Sequence, residues 1–262
     1  MPELCRVRME DIDNVIEFIR NTVNASGSDG VVLGLSGGLD SVTVTKLCIE
    51  ALGPEKVLTL FMPSVTTPPE DYTSTLELSK EWGVEYKVVD VQPAVNIFTG
   101  MLFTSVEAPL EKGNISARCR MIVLYNRAKK LNYLVVGTSN RSEFMMGYFT
   151  KFGDGAADFF PIIDFYKTQV WQLAEIIGVP KEVIDRVPTA GLWDGQTDED
   201  EMGITYCNLD IVLNEMARGS EDEDISKIVD VSREKIAEIR ERVSAMGHKR
   251  MPALRPKLDL NN

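Results

Sequence analysis

The run Val31-Val-Leu-Gly-Leu-Ser-Gly-Gly-Leu-Asp-Ser41 constrains the fold of this chain more than any other stretch. A short apolar strand, Val31 to Leu35, enters a glycine-rich turn, and a helical pattern follows at once. Few architectures accept a strand, a tight glycine loop and a helix in immediate succession, and α/β sheets are the main one. The turn itself is built for anions. Gly37 and Gly38 remove side chains, so backbone N–H groups can close on an oxyanion. The first turn of the following helix adds unpaired N–H donors and the positive end of its dipole. Ser36 and Ser41 add hydroxyls. Asp40 would repel a phosphate unless a divalent cation lies between them. The plain alternative is a turn that only joins a strand to a helix.

The loop is not the common nucleotide loop, which requires a lysine after its second glycine. The dinucleotide fingerprint G-x-G-x-x-G is absent as well. Bulk properties narrow the partners. The formal net charge is −12, which disfavours a nucleic-acid-binding surface. It also requires that polyphosphate be held by locally focused cations or metal ions. The 262 residues suit one large domain, and we expect a single domain over 1–262. No apolar run is long enough to span a membrane, and the N-terminus lacks a signal core. Cys5, Cys48, Cys119 and Cys207 are far apart, with no CxxC and only one histidine. That pattern opposes a zinc site and a disulfide framework, and a cytoplasmic location is expected.

Strand and helix patterns alternate along the chain. Ile12, Val15, Ile16, Ile19 and Val23 predict an opening amphipathic helix that ends near Gly27. The helix after the glycine loop runs from about Ser41 to Leu52. Val57–Phe61 reads as a second strand, and Pro68-Pro69-Glu70-Asp71 opens a helix running to about Trp82. Val84–Asp90 is a third strand, Ile115 to Lys130 a helix, and Tyr133–Gly137 a fourth strand. Thr168 to Ile177 is helical, and so is most of the chain beyond Ile204. Glu221 to Asp224 reads as a solvated helix start. The fold class is α/β: a parallel sheet flanked by helices, Rossmann-like, with a helical C-terminal part. Ligands of such sheets bind beyond the carboxyl ends of strands, where the glycine loop and Gly137-Thr138 both lie.

Further segments carry chemistry. In Gly113-Asn-Ile-Ser-Ala-Arg-Cys-Arg-Met121 the two arginines, Arg118 and Arg120, face different sides of a helix. One could meet a phosphate while the other pairs with a carboxylate; two surface arginines are the alternative. Gly113-Asn114, read as the helix start, favours an anion site. In Gly137-Thr-Ser-Asn-Arg-Ser-Glu143, Thr138 leaves a strand end, and Glu143 is either a helix cap or a cation ligand beside Asp40. Gly147 to Gly155 is a glycine- and aromatic-rich segment holding Lys151 and Asp154, with Asp158 just beyond. Lys167 opens a helix against its dipole, which a bound anion would offset. Thr189 begins the loop Pro188 to Glu201, and His248 and Lys249 lie in a basic C-terminal turn.

Taken in order, SGGLDS, GNISARCRM, GTSNRSE, GYFTKFGDG, the KT after PIIDFY, PTAGLWDGQTDE and HKR resemble the ammonia-dependent NAD synthetases. The loop itself resembles that of the wider ATP-pyrophosphatase superfamily, whose fold is adenine nucleotide alpha hydrolase-like. The resemblance spans Val31 to Pro252. It implies conversion of deamido-NAD, ATP and ammonia to NAD, AMP and pyrophosphate through an adenylated carboxylate. It implies ATP contacts at Gly34, Leu35, Ser36, Gly37, Gly38, Leu39, Asp40, Ser41, Thr138, Lys167 and Thr189. Asp40 and Glu143 would hold magnesium. Arg118, Lys151, Asp158, His248 and Lys249 would contact deamido-NAD. Asp154 would hold or deprotonate ammonium. Met62 would lie near adenine or in the core. A homodimer is implied, and ammonia as nitrogen source, because there is no room here for an amidohydrolase domain.

Three rivals share part of this pattern. A tRNA-thiolating relative would favour a basic surface and cysteine chemistry. A GMP synthetase would be expected to lack GNISARCRM and GYFTKFGDG. A nucleotide sensor would bind without making AMP and has no need of two carboxylates near a polyphosphate.

Overall fold

The computed structural model describes residues 4–105, 108–189, 191, 195–253 and 256. Helix α1 (Met9–Ser26) buries Ile12, Val15, Ile19 and Val23 on one face, and Gly27 ends it in the left-handed region at φ 66°. Four strands follow in sequence: β1 (Gly30–Gly34), β2 (Val57–Phe61), β3 (Glu85–Val88) and β4 (Tyr133–Val135). They form one sheet in the order β3-β2-β1-β4, and every pairing is parallel. In β1, Val31 and Leu33 face one hydrophobic layer while Val32 faces the other. A strand buried on both faces needs an unbroken apolar run, which is why Val31–Leu35 reads so clearly.

The first layer is formed by α1, α2 (Leu39–Leu52) and α7 (Lys167–Ile176), with Val42, Leu47, Val170 and Leu173 at its centre. The second packs α4 (Gln92–Met101) and α5 (Pro109–Leu131) on the other face, through Val95, Cys119 and Ala128. Helix α3 (Pro69–Glu81) leads from β2 to β3. A third cluster joins α6 (Arg141–Met146), α10 (Tyr206–Ala217), α11 (Asp222–Ile228) and α12 (Arg233–Ala245) around Tyr206, Leu209, Leu213 and Ile236. Short helices α8 (Lys181–Ile184), α9 (Asp198–Met202) and α13 (Gly247–Arg250) fill the connections.

The topology selects one place for a ligand. From β1 the chain moves outward through β2 to β3, then returns to place β4 on the opposite side of β1. The chain thus turns to opposite sides of β1, and in open α/β sheets that switch point, at the carboxyl ends of the strands, is where ligands bind.

Several boundaries differ from the sequence reading. β1 begins one residue early, although Leu35 N still donates to Leu60 O at 3.0 Å and prolongs the ladder. β3 is shorter than Val84–Asp90, because Val84 N turns back to Ser79 O. β4 stops at Val135, and Val136 makes only an isolated bridge to Phe159. α2 starts at Leu39 rather than Ser41. α4 is a helix that the sequence reading left unassigned. α5 starts at Pro109, six residues before Ile115, because proline is favoured in a first turn.

Candidate functional site

The glycine loop is locked by its own serines. Ser36 N donates to Ser41 Oγ at 3.2 Å, Gly38 N to Ser36 Oγ at 3.3 Å, and Ser41 Oγ to Gly38 O at 2.9 Å. Gly37 sits at φ 87°, which an L side chain rarely adopts. Gly38 is the N-cap of α2, so that helix's first turn opens toward the loop. Ser36 and Gly38 are exposed, whereas Leu35 and Leu39 are buried. The last two can offer a ligand only backbone. Gly34 packs under Met62, which is itself buried in the second layer.

Asp40 lies in the first turn of α2, and two other segments converge on it. Asn140 Nδ2 donates to Asp40 Oδ1 at 3.2 Å, and the Lys167 ammonium donates to Asp40 Oδ2. The same ammonium is 3.5 Å from Glu143 Oε1. Glu143 also performs its capping role: Asn140 Oδ1 accepts from Glu143 N at 3.0 Å, and Asn140 N donates back to Glu143 Oε2 at 3.4 Å. The helix cap and the carboxyl that faces Lys167 are thus one residue. Burial, then the Asp40 charge, push the Glu143 carboxyl up to about 8, against the pull of Lys167. Burial alone would lower the Lys167 ammonium, but Asp40 and Glu143 outweigh it and hold it above its ordinary range. The anion expected to offset Lys167 at its helix start is supplied here by the protein's own carboxylates.

The lysine is held in place from behind. Lys167 N donates to Ser142 Oγ at 2.9 Å, and Ser142 Oγ donates to Asp210 Oδ1 at 2.5 Å. Asp210 Oδ2 accepts from Thr168 N at 2.8 Å, so Asp210 caps α7 from a distance. Burial pushes the Asp210 carboxyl up to about 6. Lys167 Nζ also lies 5.5 Å from the centre of the Tyr206 ring, and Tyr206 OH donates to Asp198 Oδ2 at 3.0 Å.

A second group of predicted residues gathers around the segment 147–155. Lys249 Nζ donates to Gly147 O at 2.7 Å and Phe149 O at 2.8 Å, and Lys151 Nζ donates to His248 O at 2.7 Å. Arg118 Nη2 donates to Lys151 O at 3.2 Å. Asp154 Oδ1 accepts from Thr150 N at 2.9 Å, and Thr150 Oγ1 bonds Asn114 Oδ1 at 2.7 Å. Asp154 keeps exposed surface, yet desolvation by the surrounding protein raises its carboxyl above the usual range. Phe152 is held at φ 61°, an unfavourable conformation for its ring-bearing side chain. A cavity of about 760 Å³ opens beside this segment, lined by Arg141, Lys151, Phe152, Phe160, Lys249 and Arg250 among others. Helix α6 links the two places: Glu143 joins the first, while Phe144 and Met145 line the cavity.

Other expectations resolve differently. Gly113 and Asn114 lie inside α5, not at its start, so they form no helix-terminal anion site. Among the described residues Arg120 makes no ion pair with a carboxylate, although the Asp154 charge acts on it; its Nε donates to Met62 O at 2.9 Å and its Nη2 to Ser64 Oγ at 3.2 Å. Asp158 Oδ2 accepts from Val135 N at 2.7 Å, continuing the edge of β4. Thr138 is half-buried just past β4. Thr189 is exposed, its Oγ1 accepting from Gly191 N at 3.0 Å. Of its loop, residues 190 and 192–194 lie outside the described residues.

The sequence reading missed two features. Arg186 Nη1 donates to Gly37 O at 3.0 Å, and its Nη2 donates to Asp71. Asp198 is buried next to Tyr206. Arg186 lies just before Pro188-Thr189, so proximity to that motif was the one available signal. Asp198 lies inside the motif PTAGLWDGQTDE, which was its one signal, but nothing local marks it as buried.

Comparison with known proteins places the chain in a family. A family model described as NAD synthase matches residues 11–253. The chain is 45% identical to the NH(3)-dependent NAD(+) synthetase of Archaeoglobus fulgidus over 83% of its own length and 89% of that protein's. Among solved structures, it superposes with a TM-score of 0.84 on the NMN synthetase of Francisella tularensis, at 36% identity, covering 95% of this chain and 98% of that one. The NH3-dependent NAD synthetase of Campylobacter jejuni, solved in complex with the nitrate ion, gives 0.79 at 30% identity, covering 95% and 98%.

Proposed function

The chain belongs to the NAD synthase family, and from that premise we propose how its residues divide the work of amidating deamido-NAD to NAD at the expense of ATP. The observation that carries the proposal is the convergence of the glycine loop, the Asn140–Glu143 turn and Lys167 on Asp40 at the ends of β1 and β4. A carboxylate is a poor electrophile because it is anionic. Attack of the nicotinate carboxylate on the α-phosphate of ATP breaks the α–β bond, expels pyrophosphate and makes a mixed anhydride, whose acyl carbon ammonia attacks to expel AMP. Both steps need polyanions neutralised and water kept out.

In this reading Ser36 to Ser41 cradle ATP phosphates with backbone N–H groups and two hydroxyls, with Gly34, Leu35 and Leu39 contributing backbone. Thr138, Lys167 and Thr189 contact the same nucleotide. The side chains around Lys167 suit magnesium: they are hard oxygen donors, with more carboxylates than ammonium groups to balance them. Asp40 and Glu143 would hold it, and bound there it would neutralise the phosphate oxygens. Arg118, Lys151, His248 and Lys249 surround deamido-NAD together with the basic, aromatic cavity, whose chemistry suits a pyrophosphate and an aromatic ring. Asp158 belongs to that set through the β4 edge. Asp154, fixed by Thr150 N, is the carboxylate that draws in ammonium and takes its proton.

We further infer one domain over the chain and a homodimer. The dimer is supported by the apolar residues that α4 and α5 leave exposed.

The test is direct. Purified protein is incubated with ATP, magnesium and deamido-NAD, with either ammonium or glutamine, and NAD and AMP are measured. NAD and AMP in equal amounts, with ammonium alone, are expected. A parallel arm with nicotinate mononucleotide is needed because the Francisella neighbour is named an NMN synthetase. Faster amidation of the mononucleotide would overturn the substrate assignment, and nucleotide binding without AMP would overturn the reaction.

A further inference from the structure

Asp198 is 3% exposed, and its two oxygens are used unequally. Oδ2 accepts from Tyr206 OH at 3.0 Å. Oδ1 is fully buried and accepts no hydrogen bond among the described residues. The Tyr148 hydroxyl lies close enough to stabilise the Asp198 charge, but its one proton is directed to Glu201 Oε2 at 2.8 Å. A buried carboxylate oxygen without a donor is costly, and native structures rarely keep one without a use.

Its neighbourhood suggests the use. The Tyr206 ring that leads to Asp198 also lies under the Lys167 ammonium. The charges of Asp198 and Lys167 act on one another. Yet Lys167 rests on Asp40 and Glu143, the two carboxylates read above as the cation holders. An ammonium and a divalent cation compete for the same oxygens, because like charges at that distance repel. No group of three metal-ligating side chains is assembled among the described residues. The lysine must therefore turn aside before a cation can settle, and its buried charge then needs another acceptor.

We propose that Asp198 is a positioning residue that receives the Lys167 ammonium on Oδ1 when a divalent cation takes Asp40 and Glu143. The other lysine donors are then free to face phosphate. This rests on the assignment of Asp40 and Glu143 as cation holders under the proposed function.

The test is Mn2+ binding, followed by electron paramagnetic resonance in the presence of α,β-methylene-ATP, which cannot be cleaved at the scissile position. Four forms are compared: wild type, Asp198→Asn, Lys167→Gln and the combination. Asp198→Asn should weaken Mn2+ binding about tenfold, as losing an outer partner of a metal site does. In the Lys167→Gln background the same change should matter less than twofold, because no ammonium needs a home. Unchanged affinity in the wild-type background overturns the proposal. Equal weakening in both backgrounds overturns it too, since Asp198 would then act on the cation and not through the lysine. No Mn2+ binding by wild type would instead sink the cation site on which the proposal stands. If Asp198→Asn does not fold, a crystal structure of the wild-type Mn2+–analogue complex decides: Lys167 Nζ should lie within hydrogen-bond distance of Asp198 Oδ1, and Nζ retained on Asp40 would refute the exchange.

Discussion

In the proposed function most of the chemistry turns on Asp40, because it joins the glycine loop to the buried lysine. Asp40→Asn keeps the shape of the side chain and its contact with Asn140, and Glu143 remains to pair Lys167. The fold should therefore survive, with an unchanged circular dichroism spectrum. ATP–pyrophosphate exchange should fall on the order of 100-fold or more, as when one transition-state contact is lost. Exchange within fivefold of wild type would remove Asp40 from the cation site. Asp210 gives a prediction of a different kind. Its carboxyl stands at about 6 in the folded protein against 3.8 in the free side chain. The folded state thus holds the proton more tightly than the unfolded state. The stability this confers is present below the unfolded value and is lost as pH rises through the folded one. Between pH 4 and pH 7 wild type should lose most of roughly 3 kcal/mol relative to Asp210→Asn. Urea unfolding of both proteins across that window checks it, and parallel curves would contradict the assignment.

Among the elements, α6 is short but carries the most. It supplies Glu143 to one site, Phe144 and Met145 to the other, and ends on Gly147 at φ 63°. A Cβ at Gly147 would stand 2.4 Å from the Met246 Cβ. Gly147→Ala should cost about 1 kcal/mol for the left-handed backbone and a further 1–3 kcal/mol for the overpacked contact. The denaturant midpoint should fall accordingly, and Met246→Gly, which removes the facing Cβ, should restore the second part only, whereas Met246→Ala, which keeps it, should not. A midpoint unchanged by Gly147→Ala would mean that α6 tolerates a shift of its end. The same elements show why some of the molecule was legible and some was not. The β1–loop–α2 unit reads directly, since a doubly buried strand, two glycines and a helix start are all local signals. Helix α4 does not, because its apolar residues Ile97 and Met101 point outward and blur the expected amphipathic pattern. The start of α5 was misplaced because Gly113 looks like a boundary, whereas Pro109 sets it. Glu143 and Lys167 were readable as motif positions, but their meeting on Asp40 depends on strand order. Asp198 depends on tertiary burial alone, which no run of acids announces.

At the scale of the whole molecule, the least settled surface is also the most apolar. Ile97, Met101, Leu102 and Phe103 at the end of α4 are all more than half exposed, with Phe103 at 92%, and Leu110 and Ile122 extend the apolar character along α5. The two helices pack side by side over the second layer, so these residues belong to one flank. Large apolar groups gathered this way are seldom left in water, and a second copy of the chain is the occupant inferred above. Light scattering should then give a mass near twice the 29.2 kDa of one chain. Phe103→Asp places a charge at the most exposed of these rings and should weaken association on the order of 100-fold, as loss of an interface anchor does. The consequence should reach the site, because α5 also carries Arg118, which bonds the segment bearing Lys151. The variant should therefore show a raised KM for deamido-NAD with little change for ATP, whose loop is built on β1 and α2. A monomeric wild type would refute the dimer, and a Phe103→Asp dimer of unchanged affinity would move the interface to another face.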